Sequence, residues 1–345
     1  MSYGLSVQHP STGKSATELV LSLQCVIEET LKGVIPQGSL AALLDFPDYS
    51  NVGDSAIWLG EKKVLKDYEV DVLYIASHNR FVKDYVVSMP KEAILFLTGG
   101  GNLGDLWPAH QNFRERIIKT FPDRKIIQLP QSIYFQSLEN LKRAKEVFDS
   151  HPDFTLLVRD EKSLEFARNE FACKSLLCPD MAFALGPIDK PFNPTQDVVL
   201  LSRTDIESLG HFNGVSGKIE TNDWLDEPQF LIKWISAFLS DQLVKHPRKL
   251  RPLYRPLEWL YDLAAKKRLE RGCRFLSSGK IVITDRLHGH ILSLLMGISH
   301  ICLDNSYGKI RNFCDTWTKD CEFTYWANDY EEAINLGKDL LSGYE

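Results

Sequence analysis

The sequence lacks the features that mark exported and membrane-spanning proteins. Its seven cysteines are scattered and include no C-x-x-C pair, which is typical of free thiols in a reducing compartment. The longest apolar runs, such as 291–298, are far shorter than the ~20 residues that cross a bilayer. The N-terminus has no basic segment followed by an apolar one, unlike a signal peptide. We therefore expect a cytoplasmic protein.

Nucleotide and nucleic-acid signatures are also missing. No glycine-rich run continues into G-K-[ST], and none follows the G-x-G-x-x-G spacing. The formal net charge of −6 argues against a nucleic-acid partner. What is present is a soluble globular composition, with 44% hydrophobic and 25% charged residues, in a chain of 345 residues that fits two domains.

Short apolar runs alternate with helical patterns along most of the chain. A capping box, Ser15-x-x-Glu18, opens the first helix. The predicted strands are 40–46, 70–76, 94–98, 125–129, 154–158, 198–202, 281–284 and 300–303. The predicted helices that follow or separate them are 56–65, 113–121, 163–167, 229–243, 257–276, 287–296 and 331–341.

Such alternation predicts the α/β class, with two Rossmann-like domains facing a cleft in a glycosyltransferase-B-like arrangement. The proline-containing segment Gly186–Gln196 has no periodicity and is interpreted as the linker. The predicted domains are residues 1–190 and 191–345, and the last helix is a candidate for packing back on the first domain.

Two strand-to-helix junctions in the first half place glycines and small polar residues after an apolar strand. At the first, N–H groups around Gly53 can hold an anion or a sugar hydroxyl, although a plain turn with Asp54 as N-cap explains the segment equally simply. At the second, three consecutive glycines let a ligand approach the backbone, although a structural turn is as good an interpretation. The candidate residues are Asn51, Gly53 and Asp54 at the first junction and Gly99, Gly100, Gly101, Asn102 and Asp105 at the second.

Two further junctions deliver arginine. Arg159 follows a predicted strand and can bind carboxylate or phosphate, but a surface arginine beside an N-cap aspartate is the simpler alternative. Arg286 and His288 lie at the start of a predicted helix, where the helix dipole favours an anion. Histidine is also the natural proton donor near neutral pH. His288-x-His290 could suggest a metal, but no third and fourth ligand follow at suitable spacing, so no metal is predicted.

Six segments, taken in order, resemble the polysaccharide pyruvyl transferase family, in particular its bacterial exopolysaccharide members. They are N-V-G-D (51–54), L-T-G-G-G-N-L-G-D-L (97–106), L-P-Q-S (129–132), V-R-D-x-x-S (158–163), P-D-M-A (179–182) and T-D-R-L-H-G (284–289). Each segment is weak alone, but six in the same order are specific. The resemblance runs from about residue 40 to about 313, and residues 202–273 match little.

The resemblance implies phosphoenolpyruvate as the donor, without a metal or other cofactor, and transfer of its pyruvyl group to two sugar hydroxyls as a cyclic ketal. It also implies that Arg159, Arg286 and His288 bind the donor, and His288 is our candidate general acid, with His290 structural. We add Leu287, Gly99, Gly100, Gly101 and Asn102 as donor-binding candidates. Asn51 and Gly53 are acceptor-binding candidates, and Asp54 and Asp105 are candidate bases.

Two alternative functions remain: a sugar-nucleotide-dependent glycosyltransferase of the same fold, and a non-catalytic glycan-binding relative. The partners expected are phosphoenolpyruvate and a glycan or lipid-linked oligosaccharide, with no nucleic acid. Segment 245–274 holds ten basic and three acidic residues with interleaved aromatics. That pattern suggests peripheral contact with the inner face of the membrane, and a solvated helix packed on its domain is the alternative.

Overall fold

The computed structural model describes residues 13–203, 220–224, 230–304 and 308–342. These residues form two compact units. The N-terminal unit comprises 23–185, 223–224 and 230–275, and the C-terminal unit comprises 13–22, 186–203, 220–222, 276–304 and 308–342. The division at residue 186 coincides with the start of the predicted linker. It differs from the predicted domains because 230–275 returns to the N-terminal unit and 13–22 belongs to the C-terminal one.

The helices and strands alternate along the chain as expected of an α/β protein. The helices are α1 (Ala16–Lys32), α2 (Val52–Asp67), α3 (Lys83–Val87), α4 (Pro108–Thr120), α5 (Leu138–Asp149), α6 (Glu161–Glu170), α7 (Phe230–Lys245), α8 (Tyr254–Ser277), α9 (Leu287–Met296), α10 (Lys309–Trp317) and α11 (Tyr330–Ser342). The strands are β1 (Leu40–Leu44), β2 (Asp71–Ala76), β3 (Ile94–Leu97), β4 (Gly100–Gly104), β5 (Ile126–Tyr134), β6 (Phe154–Val158), β7 (Lys174–Leu177), β8 (Gln196–Leu201), β9 (Glu220–Asn222), β10 (Gly279–Thr284), β11 (Ser299–Cys302) and β12 (Thr324–Trp326).

The N-terminal sheet is parallel and runs β2-β1-β3-β5-β6-β7, with β4 also paired to β5. Strands β3 and β6 are buried along their whole length, which explains their uninterrupted apolar sequences. The order reverses at β1, whose neighbours β2 and β3 both follow it in the chain. In such sheets ligands bind outside the carboxyl ends of the strands at this switch point, here β1 and β3.

The C-terminal sheet repeats this plan with fewer strands. It is parallel, runs β12-β11-β10-β8-β9, and reverses between β8 and β10. Helix α11 buries Ala333 and Ile334 in one cluster with Val198 and Ile281 of this sheet. The last helix therefore packs on the C-terminal sheet, which corrects the expectation that it folds back on the first domain.

Helix α8 belongs to the N-terminal unit because it covers the end of β1. The ring of Tyr261 stacks on Phe46 at 3.9 Å between centroids and 7° between planes. The indole Nε1 of Trp58 donates to Asp262 at 2.9 Å, and the guanidinium of the buried Arg268 donates to the Pro47 carbonyl at 2.9 Å. Much of the apolar and basic pattern that suggested a membrane segment is therefore internal packing, and membrane contact by 245–274 stays a prediction.

Other predictions fared as follows. The α/β class with two Rossmann-like units is confirmed, and so is the capping box, in which Ser15 Oγ accepts from the Glu18 N–H at 3.3 Å. All seven cysteines are free. The run 100–104, predicted as a turn or cradle, forms strand β4. Within the described ranges, no helix is long and apolar enough to cross a membrane.

Candidate active site

An aspartate bonded to histidine lies at the switch point of the N-terminal sheet. Asp45 directly follows β1 and adopts φ +74°, a left-handed conformation that is sparsely populated outside glycine and is typical of functional sites. Its carboxylate accepts from His110 Nδ1 at 2.8 and 3.0 Å, and His78 Nδ1 lies 3.4 Å from it. Burial alone would raise the pKa of Asp45, but hydrogen bonds from His110 and His78 lower it to about 2. Asp45 is thus a carboxylate that orients His110 and lies close to His78.

Asp54 and Tyr49 continue this acidic edge. Asp54 is partly exposed in the first turn of α2, between buried neighbours. Desolvation and the negative charges of Asp54 and Asp45 raise the pKa of Tyr49, which is also hydrogen-bonded to Asp54. The ring of Tyr49 meets His110 edge-on at 6.0 Å between centroids. A Cβ placed on Gly100 would lie 3.6 Å from Asp54 Oδ1, so the start of β4 faces the same carboxylate.

The glycine run has a structural explanation at its first position. A side chain at Gly99 would meet the Pro130 carbonyl oxygen at 2.6 Å, and the Gly99 N–H donates to Glu61 Oε1 at 2.7 Å. Gly100 has φ +131°, which favours glycine. Gly101 continues into β4 and is partly exposed. Close backbone packing against β5 therefore requires part of the run, and donor binding by these glycines stays a prediction.

Asn102 is held by two buried side chains. Its Oδ1 accepts from Arg114 Nη2 at 2.7 Å and from Gln131 Nε2 at 3.0 Å, and its N–H donates to Gln131 Oε1 at 3.0 Å. Burial lowers the pKa of Arg114 to about 10, so this guanidinium still carries its charge at neutral pH. With Oδ1 fixed as the acceptor, the Nδ2 amide of the partly exposed Asn102 is the group left to meet a ligand.

Three other predicted site residues serve neighbouring helices. Asn51, rather than Asp54, is the N-cap of α2, and its Oδ1 accepts the Gly53 N–H at 2.9 Å. The Asp105 carboxylate accepts the N–H groups of Gln136 and Ser137 at 2.5 and 2.7 Å, ahead of α5. Asn51 and Gly53 were predicted to bind the acceptor, and Asp105 was predicted as a base. Their polar groups are engaged in these contacts, and both roles stay predictions.

Arg159 forms a buried ion pair with Asp180. The side chain is 1% exposed, its Nη1 lies 2.6 Å from Asp180 Oδ2, and its Nε donates to Ser132 Oγ at 3.0 Å. Asp160 caps α6 through the Ser163 N–H at 2.8 Å and accepts from Ser132 at 2.7 Å. The motifs L-P-Q-S, V-R-D-x-x-S and P-D-M-A are thus bonded to one another at one edge of the sheet. These bonds stabilise the sheet from its buried side.

The switch point of the C-terminal sheet carries arginines. Strand β10 ends in Thr284, whose hydroxyl accepts the Arg286 N–H at 3.0 Å, and Arg286 is the N-cap of α9. Leu287 is buried, so it offers only its backbone N–H in the first turn, where N–H groups have no partner within the helix. His288 is partly exposed between buried neighbours. The fixed N–H dipoles and the arginine favour an anion here.

A second arginine reaches this edge from β8. The Arg203 N–H donates to Asp285 Oδ1 at 2.8 Å, and the Tyr330 hydroxyl donates to Asp285 Oδ2 at 3.0 Å. Burial raises the pKa of Asp285, although Arg286 and Arg203 act in the opposite direction. The charges of both arginines therefore act on one buried carboxylate.

Behind this edge, two buried histidines form a chain of hydrogen bonds. His300 Nδ1 donates to the Ile298 carbonyl at 2.8 Å, so its Nε2 must accept from His290 Nδ1 at 2.7 Å. His290 Nε2 then accepts from the Thr318 hydroxyl at 2.9 Å. Burial lowers the pKa of His300 to about 4, and burial with the neighbouring His300 lowers that of His290 well below its ordinary value. Both rings are neutral and satisfied.

Among the residues that the structure describes, two groups of side chains have donor atoms close enough to hold a metal ion: Asp45 with His78 and His110, and His290 with His300 and Cys302, each within 4.8 Å. The sequence prediction of no metal was based on the residues that follow His288 and His290 at short spacing. It therefore did not include His300 and Cys302. In the second group the hydrogen bonds already account for every ring nitrogen. In the first, both Nδ1 atoms are directed at one carboxylate. The prediction that no metal is needed stays open.

Several residues of these edges were not assigned from the sequence: Asp45, Tyr49, His78, His110 and Arg203. Asp45, His78 and Arg203 each lie one or two residues beyond a parallel strand that was predicted correctly. Their position just after a strand was the signal that could have identified them. Residues at the carboxyl ends of strands next to a switch point face the ligand crevice. His110 lies on a helix, and only the fold brings it to Asp45.

Comparison with known proteins assigns the fold and the family. An uncharacterised protein from Klebsiella pneumoniae, solved by crystallography, aligns with 92% of this chain and 100% of its own at a TM-score of 0.56 and 18% identity, which shows the fold alone. The architecture is thus an α/β fold of two Rossmann-like units, each with a parallel sheet.

The family profile described as polysaccharide pyruvyl transferase matches residues 51–307. Pyruvyl transferase 1 of Schizosaccharomyces pombe is 37% identical over 81% of this chain and 70% of its own. The putative pyruvyl transferase EpsO of Bacillus subtilis is 34% identical over 89% of this chain and 94% of its own. This chain belongs to the polysaccharide pyruvyl transferase family.

Proposed function

We propose that the protein transfers the pyruvyl group of phosphoenolpyruvate to two hydroxyls of one sugar in an exopolysaccharide or lipid-linked oligosaccharide. The product is a cyclic pyruvate ketal, and phosphate is released. Family membership supports pyruvyl transfer. The donor and the ketal rest on the chemistry of the two sheet edges.

The observation that carries the donor is the set of cations at the C-terminal switch point. Phosphoenolpyruvate carries a carboxylate and a phosphate, so its site needs positive charge and N–H donors. Arg203 and Arg286 supply the positive charge, and the start of α9 supplies the N–H donors. His288 follows in the same turn, where an imidazolium can reach a bound donor. We assign the phosphate and carboxylate to this edge.

In the proposed reaction His288 gives a proton to the methylene carbon of phosphoenolpyruvate, which becomes the methyl group. C2 is then electrophilic, and the first sugar hydroxyl adds to it. The C2–O bond to phosphate breaks, and the neighbouring hydroxyl closes the ketal on C2. One hydroxyl proton is taken up by a general base and leaves with the phosphate, and the other restores His288, so the step balances without a cofactor.

The acceptor hydroxyl needs a base, and His110 is better placed for it than the residues predicted from the sequence. Its Nδ1 is bonded to the Asp45 carboxylate, so the neutral ring keeps Nε2 as a proton acceptor. Asp54 lies at the same edge and is the second candidate. Asp105 is engaged at the start of α5 and is not retained as base.

The test is a phosphate-release assay with phosphoenolpyruvate and oligosaccharide acceptors, with ketal formation followed by NMR. Saturation by phosphoenolpyruvate, dependent on acceptor, supports the proposal. Turnover of sugar nucleotides instead would identify a glycosyltransferase, and no turnover of either would identify a glycan-binding relative. Arg286→Lys keeps the charge but loses the planar fork, and should raise the donor KM about tenfold. An unchanged donor KM would remove Arg286 from the donor site.

A further inference from the structure

Helix α7 presents its large apolar side chains to solvent. Leu231, Trp234, Ile235 and Phe238 are 67%, 56%, 37% and 54% exposed. They are spaced at i, i+3, i+4 and i+7, which places them on one face of the helix. The rings of Trp234 and Phe238 stack at 5.7 Å between centroids and 12° between planes. We call these four residues the α7 apolar stripe.

The opposite face of α7, which packs on its own unit, is the more polar one. Ser236 and Ser240 are buried, and the Ser240 hydroxyl is bonded to Tyr261 on α8 at 2.8 Å. Leu243 is the buried apolar residue near the end of the helix. An ordinary surface helix buries its tryptophan and exposes its serines. This inverted arrangement indicates that the stripe has an apolar partner outside the unit.

Positive charge continues from the end of the stripe. Lys245 lies seven residues after Phe238, on the same face, and Arg248 and Lys249 follow. All three are exposed, and none makes an ion pair within the part of the chain that the structure describes. No aspartate or glutamate occurs from residue 242 to 257. We call Lys245, Arg248 and Lys249 the basic flank.

We propose that the α7 apolar stripe and the basic flank form a docking surface for a bilayer containing anionic lipid. Tryptophan, phenylalanine and leucine enter the boundary between headgroups and acyl chains, while lysine and arginine bind the anionic headgroups. The basic flank is complementary to anionic headgroups, which favours an anionic bilayer as the partner of the adjoining apolar stripe. This surface differs from α8, whose Tyr254 and Tyr261 are buried.

The test is co-sedimentation of the full chain with phosphatidylcholine vesicles, with and without phosphatidylglycerol, at low and high salt. We expect binding only to the acidic vesicles, weakened by salt. The double variant Trp234→Ser, Phe238→Ser should abolish it. The triple variant Lys245→Gln, Arg248→Gln, Lys249→Gln should weaken it about a hundredfold at low salt.

The matched control is Leu138→Ser on α5, where the leucine is 82% exposed, and it should bind as the parent does. All variants should keep their thermal unfolding temperature and their turnover of a soluble acceptor. Equal binding to neutral and acidic vesicles, or no binding to either, would overturn the proposal. So would a dimer in analytical ultracentrifugation that the double variant dissociates, because the stripe would then be an interface between copies.

Discussion

The two switch points share one plan and differ in chemistry. In both units the first strand is flanked by the second and third, so the carboxyl ends of β1 and β3, and of β8 and β10, offer equivalent positions. In the N-terminal unit Asp45 follows β1, and His78, after β2, and His110, on α4, meet its carboxylate. In the C-terminal unit Arg203 follows β8 and Arg286 follows β10. The same strand order thus presents acidic and imidazole groups in one unit and guanidinium groups in the other.

This contrast suggests a division of labour, with the anionic donor at the arginine edge and the hydroxyl acceptor at the acidic edge. Substitutions at each edge separate these two roles.

His288→Ala should reduce turnover by roughly 10²–10⁴-fold with little change in donor affinity, because it removes the proposed proton donor. Steady-state kinetics with phosphoenolpyruvate varied gives kcat and KM separately. His246→Ala, at an exposed histidine outside both edges, is the matched control and should behave as the parent. A variant of His288 with full kcat and a raised donor KM would make this residue a binding group only.

Asp45→Asn tests the acidic edge. Asparagine tolerates the left-handed conformation at this position, so the fold should persist, but the negative charge that orients His110 is lost. We expect kcat to fall roughly 10²-fold with an unchanged donor KM. Asp105→Asn is the comparison, since that carboxylate serves α5, and it should retain most activity. The assignment fails if the two variants lose activity equally.

Arg159→Ala should destabilise the N-terminal unit by about 3–5 kcal/mol, because Asp180 would remain buried without its partner. Urea unfolding measures this loss. A fall in activity would therefore not by itself show donor binding. If stability is unchanged while the donor KM rises, Arg159 contacts the donor directly, as the sequence motif implies.

Mild acid should unfold the C-terminal unit before the N-terminal one. The folded-state pKa of His300, about 4, lies below its ordinary value of 6.5. The contribution of the neutral imidazole to the free energy of unfolding is therefore complete above pH 6.5 and is lost as the pH falls towards 4. That contribution is about 3 kcal/mol. Asp45, with a pKa of about 2 against 3.8, loses its contribution only at lower pH. Hydrogen exchange at pH 7 and pH 5 should show protection lost first in β10 and β11. Equal loss in both units would contradict this order.

The sequence predicted the fold class and eight of the twelve strands that the structure describes, because buried parallel strands have strong local signals, but it did not predict β4, β7, β9 or β12. It did not predict that Asn51, rather than Asp54, caps α2, nor that Arg159 is neutralised by Asp180, because both depend on which side chains meet. It missed α5, where the buried residues are Ala144, Val147 and Phe148 among many charges. The pairing of Asp45 with His110 joins residues 65 positions apart.

The return of α8 to the N-terminal unit has a consequence for synthesis on the ribosome. Domains generally fold in order as they emerge, at about 5–20 residues per second. Here the packing partners of Phe46 and Trp58 are Tyr261 and Asp262. These partners are translated about two hundred residues later, after β8 and β9 of the other unit. A nascent chain paused near residue 203 would expose these two rings to chaperones. The N-terminal unit is therefore completed only after two strands of the other unit have been translated.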